Sequence, residues 1–170
     1  MDRGILDVLE LANYIAYKHK EKTGINISPL KLQKSLYFLF AYWGGFVRKG
    51  KQNPGSVEQN MTDFDEYLFD AEFLAWAYGP VEYRVYNMYR IECIDKKSIK
   101  NVELKLNEIY DRTLYNFIIK LLNDLIDANE FDLIDISKKD IVWKSKYNIN
   151  KKTNYNLMDN EEIIDEYIDK

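Results

Sequence analysis

Catalysis and metal binding need side chains that can move a proton, attack an electrophile or share a lone pair, and here those side chains stand apart. The single histidine, His19, lies between lysines near an expected helix end. A metal centre needs several ligands, and a triad needs a histidine beside a nucleophile and an acid, so His19 is expected to be an ordinary surface residue. The single cysteine, Cys93, has no neighbouring histidine or electropositive helix start to stabilise a thiolate, and is expected to be a structural thiol. Carboxylates gather at Asp63, Asp65, Glu66, Asp70 and Glu72. Their spacing does not match a calcium loop, and turn or capping roles account for each of them. No glycine-rich phosphate loop occurs. The expectation is a protein without catalytic residues, metal ligands or cofactor.

The excess lies in aromatic residues: 14 tyrosines, 8 phenylalanines and 3 tryptophans among 170 residues. Tyrosine packs an apolar ring while keeping its hydroxyl hydrated, which suits core margins and protein interfaces alike. Tyr83, Tyr86 and Arg90 fall three and four residues apart, beside the apolar stripe of Val81 and Val85. That spacing serves two roles equally well, covering a helix flank or anchoring a partner.

These side chains must be carried by elements, and the bounds on those come from composition. At 170 residues with 46% hydrophobic and 31% charged side chains, the chain suits one globular domain over residues 1–170. A net charge of −4 offers no general attraction to nucleic acid or anionic membrane. The short basic groups Arg48–Lys49–Lys51 and Lys96–Lys97 are expected to be solvated loop charge. Acidic residues interrupt MDRGILDVLEL where a signal peptide needs an unbroken apolar run. No stretch approaches the roughly 18 apolar residues of a membrane span. With one cysteine, a disulfide framework is ruled out, and a cytoplasmic location is expected; a homo-oligomer stays open.

Apolar periodicity predicts a mainly α, compact single-domain helical bundle. A first helix runs from Ile5 to about Lys20, stopped at Thr23-Gly24. Ser28 and Pro29 supply the cap and first turn of a central helix to about Trp43, with Leu32 and Leu36 on its buried side and Gly44-Gly45 as its end. A long loop is expected over about 47–64. Short apolar runs around Asp70-Ala71-Glu72 predict a small β-hairpin near residues 67–76. Gly79-Pro80 then opens a helix along Val81, Val85 and Met88 or Tyr89. An amphipathic helix is predicted from about Leu104 to Ala128, its stripe running through Ile109, Leu114, Ile118 and Leu122. Ser137–Asp140 and Asp159–Glu162 have capping-box spacing, the second opening a C-terminal helix over about 160–169.

Two blocks of the sequence resemble a known family. ISPLKLQKSLYFLFAYWGGF, residues 27–46, and LFDAEFLAWAYGPVEYRVY, residues 68–86, together resemble the Panacea domain, the SocA-like antitoxin family with phage-associated relatives. The matching positions include Pro29, Leu32, Gln33, Lys34, Leu36, Trp76, Gly79, Pro80, Val81, Val85 and Tyr86, while Ser35 stands where the family has leucine. The resemblance implies an antitoxin, not an enzyme, that binds a toxin encoded by an adjacent gene. Some relatives instead deliver the toxin to a protease, and some occur in phages, where inhibition of a host defence protein is the alternative. Lys31, Lys34, Tyr83, Tyr86 and Arg90 are the expected partner-binding residues, sharing an exposed face of two neighbouring helices. Trp76, Gly79, Pro80, Val81 and Val85 are expected to be structural, with Trp76 filling space between hairpin and helices.

Overall fold

The computed structural model describes residues 3–53, 55, 64–108, 112–148 and 156–170. Eight helices and one hairpin occur among them. Helix α1 is Val8–Thr23, capped by the Asp7 side chain and closed by Gly24 at φ 79°. Helix α2 is Pro29–Gln52, with Ser28 accepting from the Lys31 amide. Strands β1 (Phe73–Trp76) and β2 (Gly79–Glu82) follow, then α3 (Tyr83–Met88), α4 (Lys96–Glu108), α5 (Arg112–Asp127), α6 (Glu130–Lys139), α7 (Ile141–Lys146) and α8 (Asn160–Glu166). The mainly α expectation is borne out.

Helix α2 is the hub, touching α1, α5, α6, α8 and β2. Leu36, Tyr37, Leu39, Phe40, Ala41 and Trp43 are all fully buried along it. Such an all-round apolar surface is what an element enclosed on several sides requires. Gly44 and Gly45 do not end this helix. A Cβ on Gly44 would lie 2.5 Å from the Ile164 side chain, and one on Gly45 would lie 2.4 Å from the Tyr167 carbonyl. The pair is a notch that lets α8 and the residues after it close on α2, and the helix runs on for two more turns. Most of the expected loop over 47–64 is therefore either helix or, at 54 and 56–63, outside the described residues.

The hairpin lies later than expected. Strand β1 pairs antiparallel with β2 from Phe73↔Glu82 to Trp76↔Gly79, so the turn is Ala77-Tyr78 and residues 67–72 are irregular. Gly79 sits at φ 93°, where only glycine is comfortable. Pro80 is thus a strand residue and does not open a helix. Residues 156–158 run along the other side of β1, through Ala75 N–H to Asn156 O at 2.9 Å and Met158 N–H to Phe73 O at 2.8 Å.

Two further expectations are corrected. The predicted helix over Leu104–Ala128 is two helices, α4 and α5, which pack against each other. Ile99, Val102 and Leu106 are buried on α4, and Leu114, Ile118, Leu122 and Leu125 on α5. The two sets do not keep one helical phase: at 3.6 residues per turn the α5 set is turned from the α4 set by roughly a third of a turn, and Ile109 lies outside the described residues. The Ser137–Asp140 capping box does not form either. Ser137 donates to the Ile134 carbonyl within α6, and Asp140 precedes α7 without a side-chain capping bond. Asp159 does cap α8, its carboxylate accepting from the Glu162 amide at 3.0 Å.

Candidate functional site

The two blocks of the resemblance meet at β2. An edge strand leaves backbone groups unpaired on its outer side, and a buried one must find partners for them. Here α2 supplies those partners from side chains. The Gln33 amide accepts from Glu82 N–H at 2.7 Å and donates to Glu82 O at 3.3 Å. The Lys34 amine donates to Pro80 O at 2.6 Å. Gln33 and Lys34 together stand in for a third strand.

Glu82, fully buried, carries this support into α3. One carboxylate oxygen accepts from the Val85 amide at 3.0 Å and caps the helix. The other accepts from the Glu72 amide at 3.2 Å and from Arg84 Nη2 at 2.8 Å. Arg84 also donates to the Asp70 carbonyl. Helix α3 has only six residues, too short to persist alone. It is set by Glu82 at one end and by the buried Val85 beneath.

On this base stands an exposed aromatic group. Tyr83 is 38% and Tyr86 58% exposed. The Trp76 ring meets Tyr86 edge-on at 4.9 Å, and the Trp76 carbonyl accepts from the Trp143 indole at 3.0 Å. Trp76 is half-buried, so it is a margin of this face and not the core filler that its neighbours suggested. Beside it lies an open groove of about 260 Å³, whose walls include Pro29, Leu32, Val85, Tyr86, Tyr89 and Arg90. The Tyr89 hydroxyl is buried without a hydrogen-bond partner among the described residues; burial, with Cys93 and Glu92 nearby, pushes it up to about 12.

The five residues expected to bind a partner therefore divide. Tyr83, Tyr86 and Arg90 are exposed on or just beyond α3. Lys34 is not on that face: its side chain is fully buried, and burial lowers it from 10.5 to about 7. Lys31 is half-buried and spends its amine on α5, donating to Ala128 O at 2.7 Å and to Ile126 O. There it caps the carbonyl end of a helix, where a cation is favoured. Lysine length hid both roles, because a stem off the apolar stripe still reaches inward to a carbonyl. Gly79, Pro80, Val81 and Val85 are buried, as a structural role requires.

Residues weighed for chemistry are engaged elsewhere. His19 is buried, not on the surface, with Nδ1 at 3.1 Å from the Ile25 carbonyl and 3.2 Å from Thr23 Oγ1. Burial lowers its affinity for a proton. Cys93 is exposed, so it is not a packed thiol. Glu66 pairs with Arg48, Asp65 accepts from the Tyr67 amide at 2.9 Å, and Asp63 lies outside the described residues. Among the described residues no group of three or more His, Cys, Asp or Glu side chains is placed to hold a metal. No helix there is long and apolar enough to cross a membrane. No family model, curated protein or solved structure matches this chain.

Proposed function

We propose that this protein is an antitoxin that neutralises a cognate protein toxin by direct binding, with α3 and the adjoining hairpin as its contact face. The observation that carries the reading is the group of half-buried Trp76 with exposed Tyr83 and Tyr86, seated on backbone that Gln33, Lys34 and Glu82 hold in place. Aromatic anchors that are already ordered lose little freedom on association, so more of their burial appears as affinity. The resemblance supplies the partner class, and the two sequence blocks that carry it converge on this one place.

The test is co-expression with the product of the adjacent gene, followed by co-purification. A stable complex is expected. Tyr86→Ala and Arg90→Glu should each weaken it by about 2 kcal/mol if they are hot spots, while changing unfolding stability by about 1 kcal/mol or less, as exposed substitutions do. Failure to form the complex would sink the antitoxin reading. Unchanged affinity in both variants would sink this choice of face. Capture of a host defence protein instead would favour the inhibitor alternative.

A further inference from the structure

A second surface, between α7 and α8, has a different chemistry from the α3 face. These helices pack against each other and leave an open groove of about 530 Å³ lined by Ile141, Val142, Ser145, Glu162, Asp165 and Glu166. Ile141 is 73% exposed, an aliphatic side chain left in water beside carboxylates. The three acids are engaged to different degrees. Glu166 accepts from the Ile141 and Val142 amides at 2.7 and 3.0 Å and lies 3.4 Å from the Lys170 amine. Asp165 meets Arg48 at 2.7 Å, yet its side chain stays 64% exposed. Glu162 is exposed, and no cation pairs with it among the described residues. Residues 159–170 hold six carboxylate side chains and one basic one, Lys170.

An apolar wall under a carboxylate rim is complementary to a segment with apolar residues on one face and cations beside them. Burying the aliphatic contact supplies the affinity, and opposite charge supplies encounter rate and selectivity. We infer that the α7–α8 groove is a docking site for a basic amphipathic helix of a partner protein. An aliphatic side chain of that helix lies against Ile141 and Val142, and its Lys or Arg side chains face Glu162 and Asp165. This surface is separate from the α3 face and does not depend on the reading given to that face.

The experiment titrates the full chain into a fluorescent amphipathic peptide made of leucine and lysine and reads anisotropy. Saturable binding is expected, weakened about tenfold or more by Ile141→Ser and by Glu162→Lys. It should weaken with added salt and vanish for a leucine–glutamate peptide of the same apolar spacing. Tyr86→Ala should leave it unchanged. Ile141→Ser should unfold at the parent temperature, since that side chain is exposed, and Glu162→Lys within a few degrees of it, since it replaces an acid in the first turn of α8. Equal binding by the parent and the two groove variants overturns the proposal, because it would reflect diffuse charge attraction. A dimer seen in sedimentation and abolished by Ile141→Ser also overturns it, by giving the groove to a second copy of the chain.

Discussion

The Lys34 amine has one hydrogen-bond partner among the described residues, the Pro80 carbonyl at 2.6 Å, and burial brings it to about 7. The sign of its effect on stability follows from proton counting. Between about pH 7 and 10.5 the unfolded chain holds a proton at this site that the folded chain lacks, so stability rises with pH across that window. Below it both states are protonated and the folded state carries the full cost of a buried charge; above it neither is charged. Denaturant unfolding of the parent should therefore gain stability relative to Lys34→Met by up to about 1.4 kcal/mol per pH unit within the window. Parallel curves for the two proteins would show that Lys34 does not titrate there. The neighbouring Ser35 gives a second residue-scale test. It is fully buried, and its hydroxyl has no partner among the described residues. Ser35→Ala should raise stability by about 1 kcal/mol, by removing an unsatisfied polar atom and improving helix propensity. A loss of stability would mean that the hydroxyl is satisfied.

Among elements, the contact of α2 with the C-terminal segment is the most exacting. Alanine is ordinarily preferred to glycine inside a helix by about 1 kcal/mol. At Gly45 the added Cβ would lie 2.4 Å from backbone at Tyr167, and backbone cannot rotate aside as a side chain can. Overpacking costs of about 1–3 kcal/mol are typical of cores, so Gly45→Ala should lower stability in spite of its better propensity. Thermal unfolding decides it, and a rise in melting temperature would refute the close approach. Hairpin and α3 illustrate the same dependence on neighbours, since Gln33, Lys34 and Glu82 supply the partners that short elements cannot provide for themselves.

Over the whole molecule, buried Asp140 joins parts that are distant in sequence. Its carboxylate accepts from Tyr37 of α2 at 2.6 Å, from Tyr167 at 2.7 Å and from Lys170 at 2.7 Å. Burial, together with Asp140, holds the Tyr37 hydroxyl well above its usual range, so it remains a donor. Asp140→Ala would leave two buried hydroxyls without this acceptor and Lys170 with Glu166 alone among the described residues, and should cost about 3 kcal/mol or more. Urea unfolding measures that loss; a change below about 1 kcal/mol would mean that the network is dispensable. Arg48 ties the same end of the chain to Glu66, Glu161 and Asp165. Together these contacts fix the α7–α8 groove relative to the hub helix.

From the residues alone came the helical class, the caps at Ser28 and Asp159, the stop at Gly24 and the inward Val81 and Val85. Most follow from local physics, from a period of 3.6, from a side chain bonding to its own first turn or from the left-handed conformation of glycine, whereas Val81 faces inward from strand β2 and not from the helix its spacing predicted. Tertiary structure decided the rest. Gly44-Gly45 has the composition of a stop, yet it serves close packing, because the partner it admits lies more than a hundred residues away. The division into α4 and α5 reflects which neighbour each buries its face against, α1 for α4 and α2 for α5. Tyr83, Tyr86 and Arg90 were legible as exposed because they lie off the stripe on a short helix. Lys31 and Lys34 lie off it as well, yet their flexible stems carry a charge inward to whatever carbonyl is present. Sequence spacing determines the face on which a side chain begins, and only the fold determines where a long one ends.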